Sequence, residues 1–115
     1  MTISNDCDAL LCLLYREYRT RRAHGVPLSK AAFFCDDESI RQNFMPLWCV
    51  DDVSAICWQL VRHGLLSALP GDDKANCVTL TDQGIIYMEN RFGSQLGKVF
   101  DRLVQLSALL PPWVG

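Results

Sequence analysis

Only one stretch of this chain has the alternation and turn chemistry of paired strands, and helical patterns surround it on both sides. Leu65-Leu66-Ser67-Ala68-Leu69 reads as a short strand, Pro70-Gly71-Asp72-Asp73-Lys74 as a turn, and Cys77-Val78-Thr79-Leu80 as the returning strand. A single hairpin inside an otherwise helical chain makes the expected class mainly α with a small β-hairpin. At 115 residues the chain is the size of one domain and can bury a core without staples.

The helices follow from spacing and punctuation. Asn5 or Ser4 can cap a first helix to about His24, ended by Gly25, with Cys7, Leu10, Leu11, Leu14 and Tyr18 as its buried stripe. Val26-Pro27-Leu28-Ser29 is extended or a turn, and Ser29 can cap a short turn over residues 30–34. Asp36 or Asp37 caps a second helix through about Phe44, stopped by Pro46, and the following connector tucks Trp48 into the core. Asp51 caps a third helix to His63, closed by Gly64. Its Val53, Ile56, Cys57 and Leu60 fall on one side, and Ser54, Ala55, Trp58, Gln59 and Arg62 on the other, with Trp58 turned outward. Thr81 caps a fourth helix from Asp82 to about Arg91, and Gly93-Ser94 breaks the chain before a fifth.

The fifth helix runs from Ser94 to about Leu110. Leu96, Val99, Leu103, Leu106 and Leu110 recur at heptad spacing, with Phe100, Val104 and Leu109 widening the stripe. So wide a stripe implies either a second copy of the chain, giving a homodimer, or packing across the first helix. The chain is therefore divided into residues 1–92 and a C-terminal helix and tail at 93–115, the expected dimer interface.

Charge and cysteine usage narrow the function. The net charge is −2, so any phosphate-binding face must be local. Arg16, Arg19, Arg21 and Arg22 crowd the end of the first helix, where cations suit the helix dipole or could touch phosphate. Ser54, Gln59 and Arg62 can bond base edges, whereas Trp58 is bulky for a major groove, and Asp72 and Asp73 repel phosphate. Cys7, Cys12, Cys35, Cys49, Cys57 and Cys77 contain no C-x-x-C pair, and with only His24 and His63 beside them no zinc spacing emerges. Reduced core thiols are expected, with no metal and no cofactor. Asp36-Asp37-Glu38 and Asp51-Asp52 stand at helix starts, where acids favour the dipole, and no phosphate loop or nucleophile elbow is present. An enzyme is not expected. No apolar run reaches the roughly 20 residues of a membrane span, and residues 1–6 carry no signal-peptide pattern, so the cytoplasm is the expected location.

Three helices followed by a hairpin is the order of a winged helix-turn-helix, with the third helix as reader and the hairpin as wing. The stretch Leu60-Val61-Arg62-His63-Gly64-Leu65-Leu66, with Val78-Thr79-Leu80-Thr81-Asp82-Gln83-Gly84 beyond the turn, resembles the wing region of MarR- and PadR-type regulators over residues 53–90. Over most of the chain the phrases Leu11-Cys12-Leu13-Leu14-Tyr15-Arg16-Glu17-Tyr18, Asn43-Phe44-Met45-Pro46-Leu47-Trp48 and 80–92 resemble small uncharacterised winged-helix proteins of Gram-positive bacteria and their prophages. The resemblance implies a dimeric DNA-binding regulator, with Ser54, Gln59 and Arg62 at the bases and Arg19, Arg21 and Arg22 at phosphate. A protein-interaction module that keeps the fold without the groove contacts is the alternative.

Overall fold

The computed structural model describes residues 2–72, 74–93 and 95–107. The described elements run α1 (Asn5–Ala23), α2 (Leu28–Ala31), α3 (Asp37–Phe44), α4 (Val50–Arg62), β1 (Leu66–Gly71), β2 (Lys74–Leu80), α5 (Asp82–Phe92) and α6 (Leu96–Gln105). The class is mainly helical with one small antiparallel hairpin, and no described helix is long and apolar enough to cross a membrane.

α1 organises the rest. Ser4 caps it by accepting from the Cys7 amide at 3.2 Å, and the chain leaves through His24 and a left-handed Gly25. One buried stripe was expected. Instead every residue from Cys7 to Tyr15 is buried, because α3 and α4 pack on this helix as well as α5 and α6. A helix enclosed on several sides must be apolar nearly all round. Its one buried charge, Asp8, is met by Arg91 of α5 at 2.9 Å and Arg102 of α6 at 2.8 Å, so a single carboxylate ties three helices.

The short helical turn after Pro27 begins at Leu28, one residue before the Ser29 cap expected for it. Asp36 caps α3 through the Ser39 amide at 2.9 Å. Trp48 is half-buried against the core rather than inside it. α4 starts at Val50 behind Cys49, which makes no side-chain cap, so Asp51 lies in the first turn and acts there through the dipole, not as the cap.

In the hairpin Leu66 faces Leu80 and Ser67 faces Thr79, and beyond an irregularity Gly71 faces Lys74. The ladder runs through Pro70 and Gly71, which were expected in the turn, and Asp72 beyond them has φ +52°, as tight hairpin turns require. Outside the hairpin, Phe33 bridges Thr79 on the free side of β2.

The glycine and threonine of the wing phrase act as one joint. The Thr81 hydroxyl donates to the Gly64 carbonyl at 2.7 Å and accepts from the Gly84 amide at 3.0 Å, fastening the end of α4 to the start of α5. Gly84 is buried directly against the Leu65 carbonyl, where a β-carbon would collide with backbone oxygen. Gly84→Ala is expected to cost about 3 kcal/mol, because the colliding partner is backbone and cannot rotate away. Urea unfolding at neutral pH checks this; a change under about 0.5 kcal/mol contradicts it.

α6 corrects the expectation of a free stripe. Val99, Leu103 and Leu106 are buried within the chain, and Leu103 is only 1% exposed, because α6 packs across α1. Val99 and Leu103 join the same apolar cluster as α1, so the division at residues 92 and 93 changes helix without changing core. Leu96, Phe100 and Val104 stay open at 37%, 43% and 53% exposure. Leu109 and Leu110 lie outside the described residues, as do Ser94 and Asp73.

Candidate interaction face around α4

α4 has the phase its spacing predicts. Val53, Ile56, Cys57 and Leu60 are buried, and burial pushes the Cys57 thiol up to about 12, with the nearby Asp37 carboxylate adding to the shift. The other side of the helix faces two grooves. One lies between α4 and the hairpin, with Asp51, Ser54, Ala55 and Trp58 on the helix and Pro70, Gly71, Asp72 and Lys74 on the hairpin. The second is lined by Asp6, Leu47, Trp48, Cys49, Asp52, Ala55, Ile56 and Gln59.

Trp58 does not stand clear of the surface as expected. It is half-buried, packed at the edge of the core and exposed towards the first groove. Pro70, Gly71, Asp72 and Lys74 of the hairpin line the same groove, a placement the helix periodicity alone does not encode. Gln59 is turned towards α1, where its Oε1 accepts from the Cys7 thiol at 3.1 Å. Its carbonyl therefore already accepts one hydrogen bond inside the chain. Ser54 sits in the first groove beside Asp51. Arg62 is exposed in the last turn and makes no ion pair or hydrogen bond among the described residues.

The three arginines assigned to phosphate differ from one another. Arg21 is a clasp: it pairs with Glu17 at 3.1 Å, donates to the Phe33 carbonyl at 2.8 Å and lies 4.7 Å over the Phe34 ring. Further bonds to the carbonyls of Lys30 and Ala31 complete its engagement, so it is not free for phosphate. Arg22 donates to the Val26 carbonyl at 3.1 Å but remains exposed, and Arg19 is half-buried. Arg16, which shares this helix end, lies 5.6 Å over the Phe100 ring.

The α4 face carries more acid than base. Asp51, Asp52 and Asp72 border the grooves together with Asp6, and Asp37 and Glu38 close in behind Lys74. Ser39 amide and hydroxyl hydrogen bonds hold the Asp36 carboxyl below its ordinary range, and the Arg41 guanidinium does the same for Glu38. Both acids therefore stay charged at neutral pH. Among the described residues no group of three or more His, Cys, Asp or Glu is placed to hold a metal ion.

The sequence reading missed the Asp8 ion pairs, whose partners lie 83 and 94 positions away along the chain. It also missed three exposed thiols: Cys7, Cys12 and Cys57 are buried as expected, whereas Cys35, Cys49 and Cys77 face solvent. A left-handed backbone at Cys35 and Cys77 leaves no trace in local composition. Compared with known families, curated proteins and solved structures, the chain matches none.

Proposed function

We propose that the chain is a winged helix-turn-helix, with α1, α3 and α4 as its three helices and β1–β2 as its wing, and that it works as a non-enzymatic protein-interaction module. The order of elements supports the fold reading. So does the bridge from Phe33 to Thr79, which gives the wing a short third partner on the α3 side. The occupant of the α4–wing groove is a lysine- or arginine-rich segment with one apolar anchor. The observation that carries this is the pairing of half-buried Trp58 with Asp51 and Asp72 in one groove. A part-covered tryptophan between acids suits a desolvated apolar anchor with cations beside it, whereas the same acids repel a phosphate backbone.

A DNA-binding regulator is the second reading, and Arg62 is the observation in its favour: it is exposed and unpaired among the described residues. Arg19 and Arg22 would then be the remaining phosphate contacts. A homodimer is compatible with either reading. Its seam would lie along Leu96, Phe100 and Val104, which repeat every fourth residue and remain open.

Fluorescence anisotropy with a labelled lysine-rich peptide carrying one phenylalanine tests the module directly. Micromolar binding is expected, weakened at least about tenfold by Trp58→Ala and reduced again by Asp51→Lys. Peptide binding indifferent to both substitutions contradicts the assignment of this groove.

A further inference from the structure

Residues 32–35 lie antiparallel along the free side of β2. The Phe34 amide donates to the Val78 carbonyl at 2.8 Å, the Leu80 amide to the Ala32 carbonyl at 2.9 Å, and the Val78 amide to the Cys35 carbonyl at 2.6 Å. Phe33 stands opposite Thr79. The Val78 carbonyl takes the Phe34 amide while the Val78 amide goes to the Cys35 carbonyl, so Phe34 and Cys35 both stand against Val78, as in a β-bulge, and Cys35 lies diagonally across from Cys77. Phe34 and Val78 are buried, whereas Phe33, Cys35 and Cys77 are exposed, so both cysteines open to solvent.

Both cysteines also have left-handed backbones, at φ +66° and +52°, a conformation uncommon outside glycine. Cys77 falls where the β1–β2 register slips, with two residues of β2 against Ala68. The Cys35 carbonyl oxygen and the nitrogen next to Cys77 are joined by the 2.6 Å bond. That linkage brings the two α-carbons to about the 4.4–6.8 Å spacing a disulfide spans.

We propose that Cys35 and Cys77 form a disulfide by exchange with a small-molecule disulfide such as oxidised glutathione, fixing the entry to α3 against the wing. One thiolate attacks a sulfur of glutathione disulfide, forming a mixed disulfide and releasing one glutathione thiolate. The second protein thiolate then attacks the protein sulfur of that mixed disulfide and releases the second glutathione thiolate. The two protons lost by the cysteines go to the two departing thiolates. The inference does not depend on what the α4–wing groove binds.

The test treats the reduced full chain with glutathione disulfide, followed by intact mass and unreduced peptide mapping. The expected product is a monomer lighter by two hydrogens, with a peptide linking Cys35 to Cys77 and a melting temperature raised by about 10 °C. Cys35→Ser and Cys77→Ser each abolish the linked peptide, and Cys49→Ser leaves it intact. Separate glutathione adducts on Cys35 and Cys77 overturn the proposal, as does linkage of either to Cys49 or to a second chain. Unreacted thiols at both positions, under conditions that modify Cys49, overturn it too.

Discussion

Leu103→Asp is expected to destabilise the fold itself, by enough to unfold a marginally stable domain, and not to release monomers of wild-type stability. Leu103 is 1% exposed in the core cluster, on the side of α6 that packs across α1. A carboxylate there loses the leucine's burial and gains no paired site, which places the cost above about 4 kcal/mol. That approaches the whole stability of a domain this size, about 5–15 kcal/mol. Val104→Asp, one residue further on at 53% exposure, changes stability by less than about 0.5 kcal/mol and serves as the control. Circular dichroism with urea titration separates the two variants. A Leu103→Asp protein as stable as Val104→Asp contradicts the placement of α6. Light scattering on the same samples reads assembly: if two copies pair along Leu96, Phe100 and Val104, the wild type is dimeric and Val104→Asp is a folded monomer.

Asp8→Ala is the second large effect. The substitution leaves Arg91 and Arg102 without their shared acceptor in a partly covered site. Both guanidiniums keep about a quarter of their side-chain surface in water, so the expected loss is about 2–3 kcal/mol, below that for a fully enclosed pair. Asp8 also sets an acid dependence. Burial raises its carboxyl pKa, but the hydrogen bonds and charges of Arg91 and Arg102 more than offset this, and the folded value falls below the ordinary 3.8. The unfolded chain therefore binds the proton first. The stabilisation is fully present above the unfolded value and is lost as pH falls through the lower, folded one. Urea midpoints measured downwards from pH 5 should fall less steeply in Asp8→Ala than in the wild type. Parallel curves contradict the ion-pair account.

Where local chemistry decides an element, the sequence was readable. Ser4, Asp36 and Thr81 each accept from the amide three residues on, and all three residues were expected as caps or among the alternatives for one. The inward side of α4 followed from a four-residue pattern of apolar positions, confirmed by the burial of Val53, Ile56, Cys57 and Leu60. Periodicity identifies an apolar face without identifying what covers it, so the α6 stripe was divided wrongly between core and surface. For α1 the same limit hid the enclosure of Ala9, Leu13 and Tyr15. Candidate contact residues were the least legible. Arg21 and Gln59 have the right side chains for nucleic acid, yet the turn after Gly25 and the neighbouring end of α1 engage them inside the chain. Only tertiary placement distinguishes them from Arg62.

A titration of labelled mixed-sequence duplex DNA at low and moderate salt tests the central claim most directly. The acidic α4–wing face predicts no saturable binding at micromolar protein even at low salt, under conditions where the lysine-rich peptide binds. The contrary result is saturable duplex binding whose log affinity falls linearly with log salt, with a slope that shrinks by about one unit in Arg22→Ala and a loss of about 1–3 kcal/mol in Arg62→Ala. That pattern would make the face a DNA reader and end the interaction-module account.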